Sequence, residues 1–154
     1  MNDYFDTSAL VALYVSEAYF QLARRAAQTA GQIPFTPLHD LELGNALQLL
    51  RGRRLIDGRQ LQLLSSHVAE DRDAERLVET PIDLHRVFVR ARELSAAHSA
   101  RGLCRSLDVL HVASSLELGC RRFVSGDDRQ LLLARALDLE GVDIKKGRRR
   151  RRRT

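Results

Sequence analysis

Short apolar runs of two or three residues alternate along this chain with longer segments of helical period, and that alternation admits few folds. Tyr4-Phe5 and Ile33-Pro34-Phe35 are the first two runs; Thr80-Pro81-Ile82, Phe123-Val124-Ser125 and Val142-Asp143-Ile144 are the other three. Between them, Thr7 to Val15 is a largely apolar helix and Glu17 to Ala30 an amphipathic one, stopped by Gly31. Pro37 starts a helix that runs to about Arg51, with Leu38, Leu41, Ala46 and Leu49 in helical period. Asp57 to Val78 reads as one or two helices with Leu61, Leu64 and Val68 on one face. Asp83 caps a helix over Leu84–Ala97, Ser106 caps another through Leu118, and Arg129–Leu137 is the last. Brief strands separated by helices predict an α/β domain with a mostly parallel central sheet, in which helix dominates.

The 154 residues suit one domain, and no linker or internal repeat divides them. The net charge of +5 misleads. Eight of the 25 Lys and Arg residues lie in the last ten positions, which leaves residues 1–144 with 17 basic against 20 acidic groups. We therefore expect a mildly acidic domain over 1–144 and a basic, disordered tail over 145–154, and whole-chain charge is no argument for nucleic-acid binding. No apolar run approaches the roughly 20 residues that cross a bilayer. Asp3 and Asp6 stand where a signal peptide would be positive, so the expected location is cytoplasmic, with no membrane partner. Cys104 and Cys120 form no metal-binding pattern and are expected to be small buried hydrophobes.

The chemistry lies in where certain carboxylates fall. Asp6 follows the first strand directly, and Asp127 and Asp128 follow the fourth. Glu42 lies in the first turns of the helix after strand two, and Asp108 two residues past Ser106. Functional groups of open parallel sheets collect outside the carboxyl ends of the strands. Carboxylates converging there repel unless cations intervene, and hard ions such as Mg²⁺ or Mn²⁺ suit oxygen donors. Paired metals held this way serve in-line attack on phosphodiesters. Singly, an acid in such a place is usually just a helix cap or a partner of the helix dipole.

With their neighbours they say more. Asp6-Thr7-Ser8-Ala9-Leu10 and Leu41-Glu42-Leu43-Gly44-Asn45-Ala46-Leu47 resemble the first two motifs of the PIN-domain family. Ser106-Leu107-Asp108-Val109-Leu110-His111-Val112-Ala113 resembles the third, and Phe123-Val124-Ser125-Gly126-Asp127-Asp128-Arg129-Gln130 the fourth. The likeness extends to about Ile144 and is greatest to VapC-type toxin ribonucleases of type II toxin–antitoxin systems. It implies a three-layer fold, a short parallel sheet of about five strands between helices, and Mg²⁺- or Mn²⁺-dependent endoribonuclease activity. By the same resemblance Asp6 and Asp108 are central metal ligands, and Glu42 and Asp127 flanking ones that help activate water. Ser8 and Ser125 match hydroxyl positions that bond those carboxylates or a bound water. Asp128 is the alternative to Asp127. The partners implied are an RNA substrate, a cognate antitoxin protein and a second copy of the chain.

Other residues carry two readings each. Thr7 is a helix cap or a site residue. Asn45, on the face of Glu42, orients a carboxylate or makes a structural bond. His111, three residues after Asp108, is a general base or metal ligand on one reading and a satisfied core histidine on the other. Arg105 and Arg129 flank the acids and suit phosphate contact or ion pairing. With 5% aromatic residues and no Trp, a base-stacking platform is not expected, and Arg51, Arg53 and Arg54 are the basic group left to meet an RNA backbone. A catalytically silent PIN-like binding module is the rival reading, which retention of all four acids disfavours. A phosphatase would want an Asp two residues after the first, and position 8 is Ser.

Overall fold

A computed structural model describes residues 1–15 and 18–145. The expected helix start at Glu17, and the basic tail beyond Lys145, lie outside the described residues. The strands are β1 (Asp3–Phe5), β2 (Ile33–Phe35), β3 (Leu77–Glu79), β4 (Arg122–Ser125) and β5 (Glu140–Asp143). The helices are α1 (Thr7–Tyr14), α2 (Phe20–Ala30), α3 (Pro37–Gly52), α4 (Gly58–Asp73), α5 (Leu84–Leu94), α6 (Ala100–Gly102), α7 (Ser106–Glu117) and α8 (Asp128–Ala136). A π-helical turn, Ser95–Ser99, joins α5 to α6, so the helix expected to run to Ala97 changes its winding at Ser95.

All strand pairs are parallel, as expected, but the strands form two ladders, β1-β4-β5 and β2-β3, with β2 lying beside β1. Pro34 explains the break. Ile33 donates to Arg76 and Phe35 accepts from Thr80, so both direct their polar groups toward β3. The amide between them points the other way, toward β1, and proline has no N–H to give.

Two-residue alternation splits the core. Tyr4 and Phe123 go to one face, with Val87, Leu94, Val112 and Leu133. Phe5 and Val124 go to the other, with Leu10, Ala23, Leu43 and Ile144. Helices therefore cover both faces, and β1, β2 and β4 are buried on both sides. This is the expected three-layer α/β arrangement.

Several local expectations need correction. The third strand is Leu77–Glu79, not Thr80–Ile82, and the helix expected to reach Val78 stops at Asp73. Glu75 adopts φ 53°, which ends the helix, and Thr80 supplies only the last rung to Phe35 because Pro81 has no donor. The buried face of α3 is His39, Leu43 and Leu47, while Leu41 and Leu49 are exposed. His39 packs its ring on Tyr4 and Phe35, and a polar residue in the core is invisible to apolar periodicity. Finally, Arg105 rather than Ser106 occupies the cap position of α7, and Cys104 is only half-buried, whereas Cys120 is buried.

Candidate active site

Asp6 ends β1 and caps α1, its Oδ1 accepting from the Ala9 N–H at 2.9 Å. Two hydroxyls complete its surroundings: Ser8 donates at 2.7 Å to Oδ1 and Ser125 at 2.7 Å to Oδ2. Ser8 also accepts from the Gly126 N–H and Ser125 from the Asp127 N–H, both at 2.8 Å, so the ends of the adjacent strands β1 and β4 are tied together through the Asp6 carboxylate. Asp6 is fully buried, and that burial raises its pKa against the opposing pull of His111 and the serine hydroxyls.

Asp108 lies in the first turn of α7 and reaches back to the Arg105 N–H at 2.8 Å. The carboxylate itself therefore does the capping that Ser106 was expected to do. Its other oxygen accepts from Gln130 Nε2 at 3.2 Å, and the Arg129 Nε lies 3.8 Å away. Asp127 caps α8, accepting from the Arg129 and Gln130 N–H groups at 2.8 and 3.3 Å. Burial raises its pKa, but those amides and the Arg129 guanidinium outweigh it, so Asp127 titrates below the usual aspartate range.

Glu42, in the second turn of α3, accepts from Thr7 Oγ1 at 2.7 Å and lies against His111 Nε2. Burial pushes its pKa up, and the His111 and Thr7 contacts more than reverse this. These four carboxylates, from four different elements, line one open cleft of about 470 Å³ together with Arg105, His111 and Gln130.

The secondary residues divide. Ser8 and Ser125 both touch Asp6. Asn45 is exposed and does not line the cleft. The Asp128 side chain is 81% exposed and pairs with Lys145 at 3.1 Å, which turns it to the outer surface while Asp127 lines the cleft. Arg51, Arg53 and Arg54 are exposed at the far end of α3 from Glu42, with Arg51 about 14 Å along the helix axis at 1.5 Å per residue.

Two contributors were underread from the sequence. His111 is a buried, satisfied core residue and also touches Glu42, so its two readings are not exclusive. Gln130 stands three residues after Asp127, as Asp108 stands three after Arg105, and its amide holds the Asp108 carboxylate. Spacing within helix first turns was the available signal.

The donor chemistry suits a hard divalent cation. Every acid contributes oxygen, and a cation beside Asp6 would offset the cost of its burial. As placed, each carboxylate is held by its own protein partners, and among the described residues no three His, Cys, Asp or Glu side chains draw close enough to grip one ion.

Comparison with known proteins gives a consistent result. The PIN domain family model matches residues 4–136. Among solved structures, FitAcB from Neisseria gonorrhoeae superposes with a TM-score of 0.63 at 12% identity, covering 92% of this chain and 97% of that one. PAE2754 from Pyrobaculum aerophilum superposes with a TM-score of 0.56 at 18% identity, covering 97% and 94%. At such identities these likenesses speak for the fold alone. No curated protein matches the sequence. The match over residues 4–136, together with the three-layer fold and the acids at its strand ends, establishes that the chain belongs to the PIN-domain family, a nuclease superfamily.

Proposed function

We propose that this protein is a Mg²⁺- or Mn²⁺-dependent endoribonuclease and the VapC-type toxin of a type II toxin–antitoxin pair. The observation that carries the reading is the pairing of two buried carboxylates, Asp6 and Asp108, in one cleft with Glu42 and Asp127 at its sides. PIN nucleases typically use divalent metals. Asp6 and Asp108 would hold the ion, with Glu42 and Asp127 flanking it. Bound there, the ion would supply Lewis-acid activation of water and offset charge on the phosphate. The chain's own groups do the rest. Ser8 and Ser125 fix the Asp6 carboxylate, and Arg105 and Gln130 fix Asp108 through its two oxygens. Glu42 takes the proton of the attacking water, which its lowered pKa suits as an acceptor ionised at neutral pH. The guanidinium of Arg129, at 36% exposure beside Asp108 and Asp127, balances the acids and meets the RNA backbone.

The partners that follow are an RNA substrate, an antitoxin covering the cleft and a second copy of the chain. The body is residues 1–144, and the basic residues 145–154 add general affinity for RNA. No helix among the described residues is long and apolar enough to cross a membrane. The test is cleavage of RNA by the purified protein with and without Mn²⁺, beside Asp108→Asn. Metal-dependent cleavage abolished in the variant supports the reading. RNA or protein binding without cleavage in any metal would favour a silent PIN-like module instead.

A further inference from the structure

His111 is buried to 1% exposure on α7, one turn past Asp108, and it joins the core to the cleft. Its Nε2 lies against Glu42 Oε2 and 3.2 Å from Thr7 Oγ1, and its Nδ1 lies 2.9 Å from Tyr4 Oη. Tyr4 is itself fully buried on β1 and stacked on Phe123 at 5.6 Å with 12° between the rings. The Tyr4 ring therefore cannot swing away without opening the core. A carboxylate only accepts, so the hydrogen between His111 and Glu42 sits on Nε2. Nδ1 faces the Tyr4 hydroxyl, which can either donate or accept. The chain Tyr4 to His111 to Glu42 runs from the central strand through α7 to α3, and Thr7 adds a second donor to the same Glu42 oxygen.

We infer that His111 is a positioning residue, held in place by its contact with Tyr4, that sets the Glu42 carboxylate at the wall of the cleft it shares with Asp108. His111 and Thr7 both engage Oε2 of Glu42, which leaves Oε1 for the cleft. This goes beyond a core histidine, because one ring ties the helix bearing Asp108 to the helix bearing Glu42. It also differs from a general base or metal ligand, since both ring nitrogens are engaged by protein groups. The inference rests on the nuclease reading for its consequence, not for its geometry.

Both are tested on the full chain. In metal-free protein, long-range ¹⁵N–¹H correlation spectra of the histidine rings should show a hydrogen on His111 Nε2. Titration with Mn²⁺ should give His111→Leu about 10- to 100-fold weaker binding, the usual loss for a residue that orients a ligand. His111→Gln, which keeps a donor near the Nε2 position, should recover most of it. Turnover of RNA should fall in parallel with little change in KM. Should His111→Leu fail to fold by thermal melting, Tyr4→Phe retains the stacked ring and carries the same test. A His111 ring with no hydrogen on Nε2, or Mn²⁺ affinity and turnover unchanged in both His111→Leu and Tyr4→Phe, overturns the inference. Wild-type protein that shows no Mn²⁺ binding sensitive to Asp6→Asn fails the nuclease reading instead, and the ring spectra still judge the geometry.

Discussion

Asp6 and Asp127 occupy equivalent places and behave in opposite ways. Each follows a strand of the same parallel ladder, β1 or β4, and each caps the helix that comes next. Asp6 is fully buried and its pKa is raised by that burial. The Asp127 side chain, 28% exposed and facing Arg129, has its pKa lowered. Capping alone therefore does not separate the two acids. Depth does: Asp6 directly follows β1 and donates its N–H to Val124 of β4, whereas Asp127 lies two residues past the end of β4 and opens toward the rim where Arg129 stands. The buried acid is the one for which a cation changes most.

Asp6→Asn strikes that difference hardest. Asparagine caps a helix as well as aspartate, so melting should shift by less than about 1 kcal/mol while RNA cleavage falls by more than about 100-fold. A matching loss of stability would mean that Asp6 is mainly a structural cap. Substitutions at the rim sharpen the contrast. Asp127→Asn should lower cleavage about 10-fold, at the lower end of the losses seen for groups supporting a metal site. Asp128→Ala, which removes only the exposed pair with Lys145, should leave turnover within about twofold, as surface pairs contribute little. Equal losses at the two positions would show that Asp127 and Asp128 exchange roles.

A pH dependence of stability tests burial against charge away from the acids. His39 is buried, and desolvation with help from the His111 ring lowers its pKa from 6.5 to about 3. The unfolded chain takes up a proton below about 6.5 that the folded chain refuses. Stability is thus fully present above that value and falls as pH drops toward 3, by at most about 1.4 kcal/mol per pH unit. Urea melts at pH 7 and pH 5 should show the loss in the wild type and a shallower one in His39→Gln. Equal slopes would assign the acid sensitivity to other groups.

Much of this was legible in the chain. Strand runs at Tyr4-Phe5 and Phe123-Val124, the stop at Gly31 and the cap at Asp83 depend on local preferences, and they fall where local physics puts them. So do the acids, whose position after a strand or in a first helical turn is a sequence property. What was not legible depends on distant partners. Leu77 becomes strand because Ile33 waits beside it, and Leu41 is exposed because His39, on another face of α3, meets the Tyr4 ring. The contact of His111 with Glu42 spans 69 positions and two helices, beyond any spacing rule.

The central claim is that Asp6 and Asp108 together hold the catalytic ion, and anomalous diffraction from crystals equilibrated with Mn²⁺ tests it most directly. The account predicts a manganese peak in the cleft bonded to oxygens of both carboxylates, absent from Asp6→Asn crystals under the same conditions. A protein that cleaves RNA in Mn²⁺ while its crystals place the ion away from Asp6 and Asp108 would contradict it.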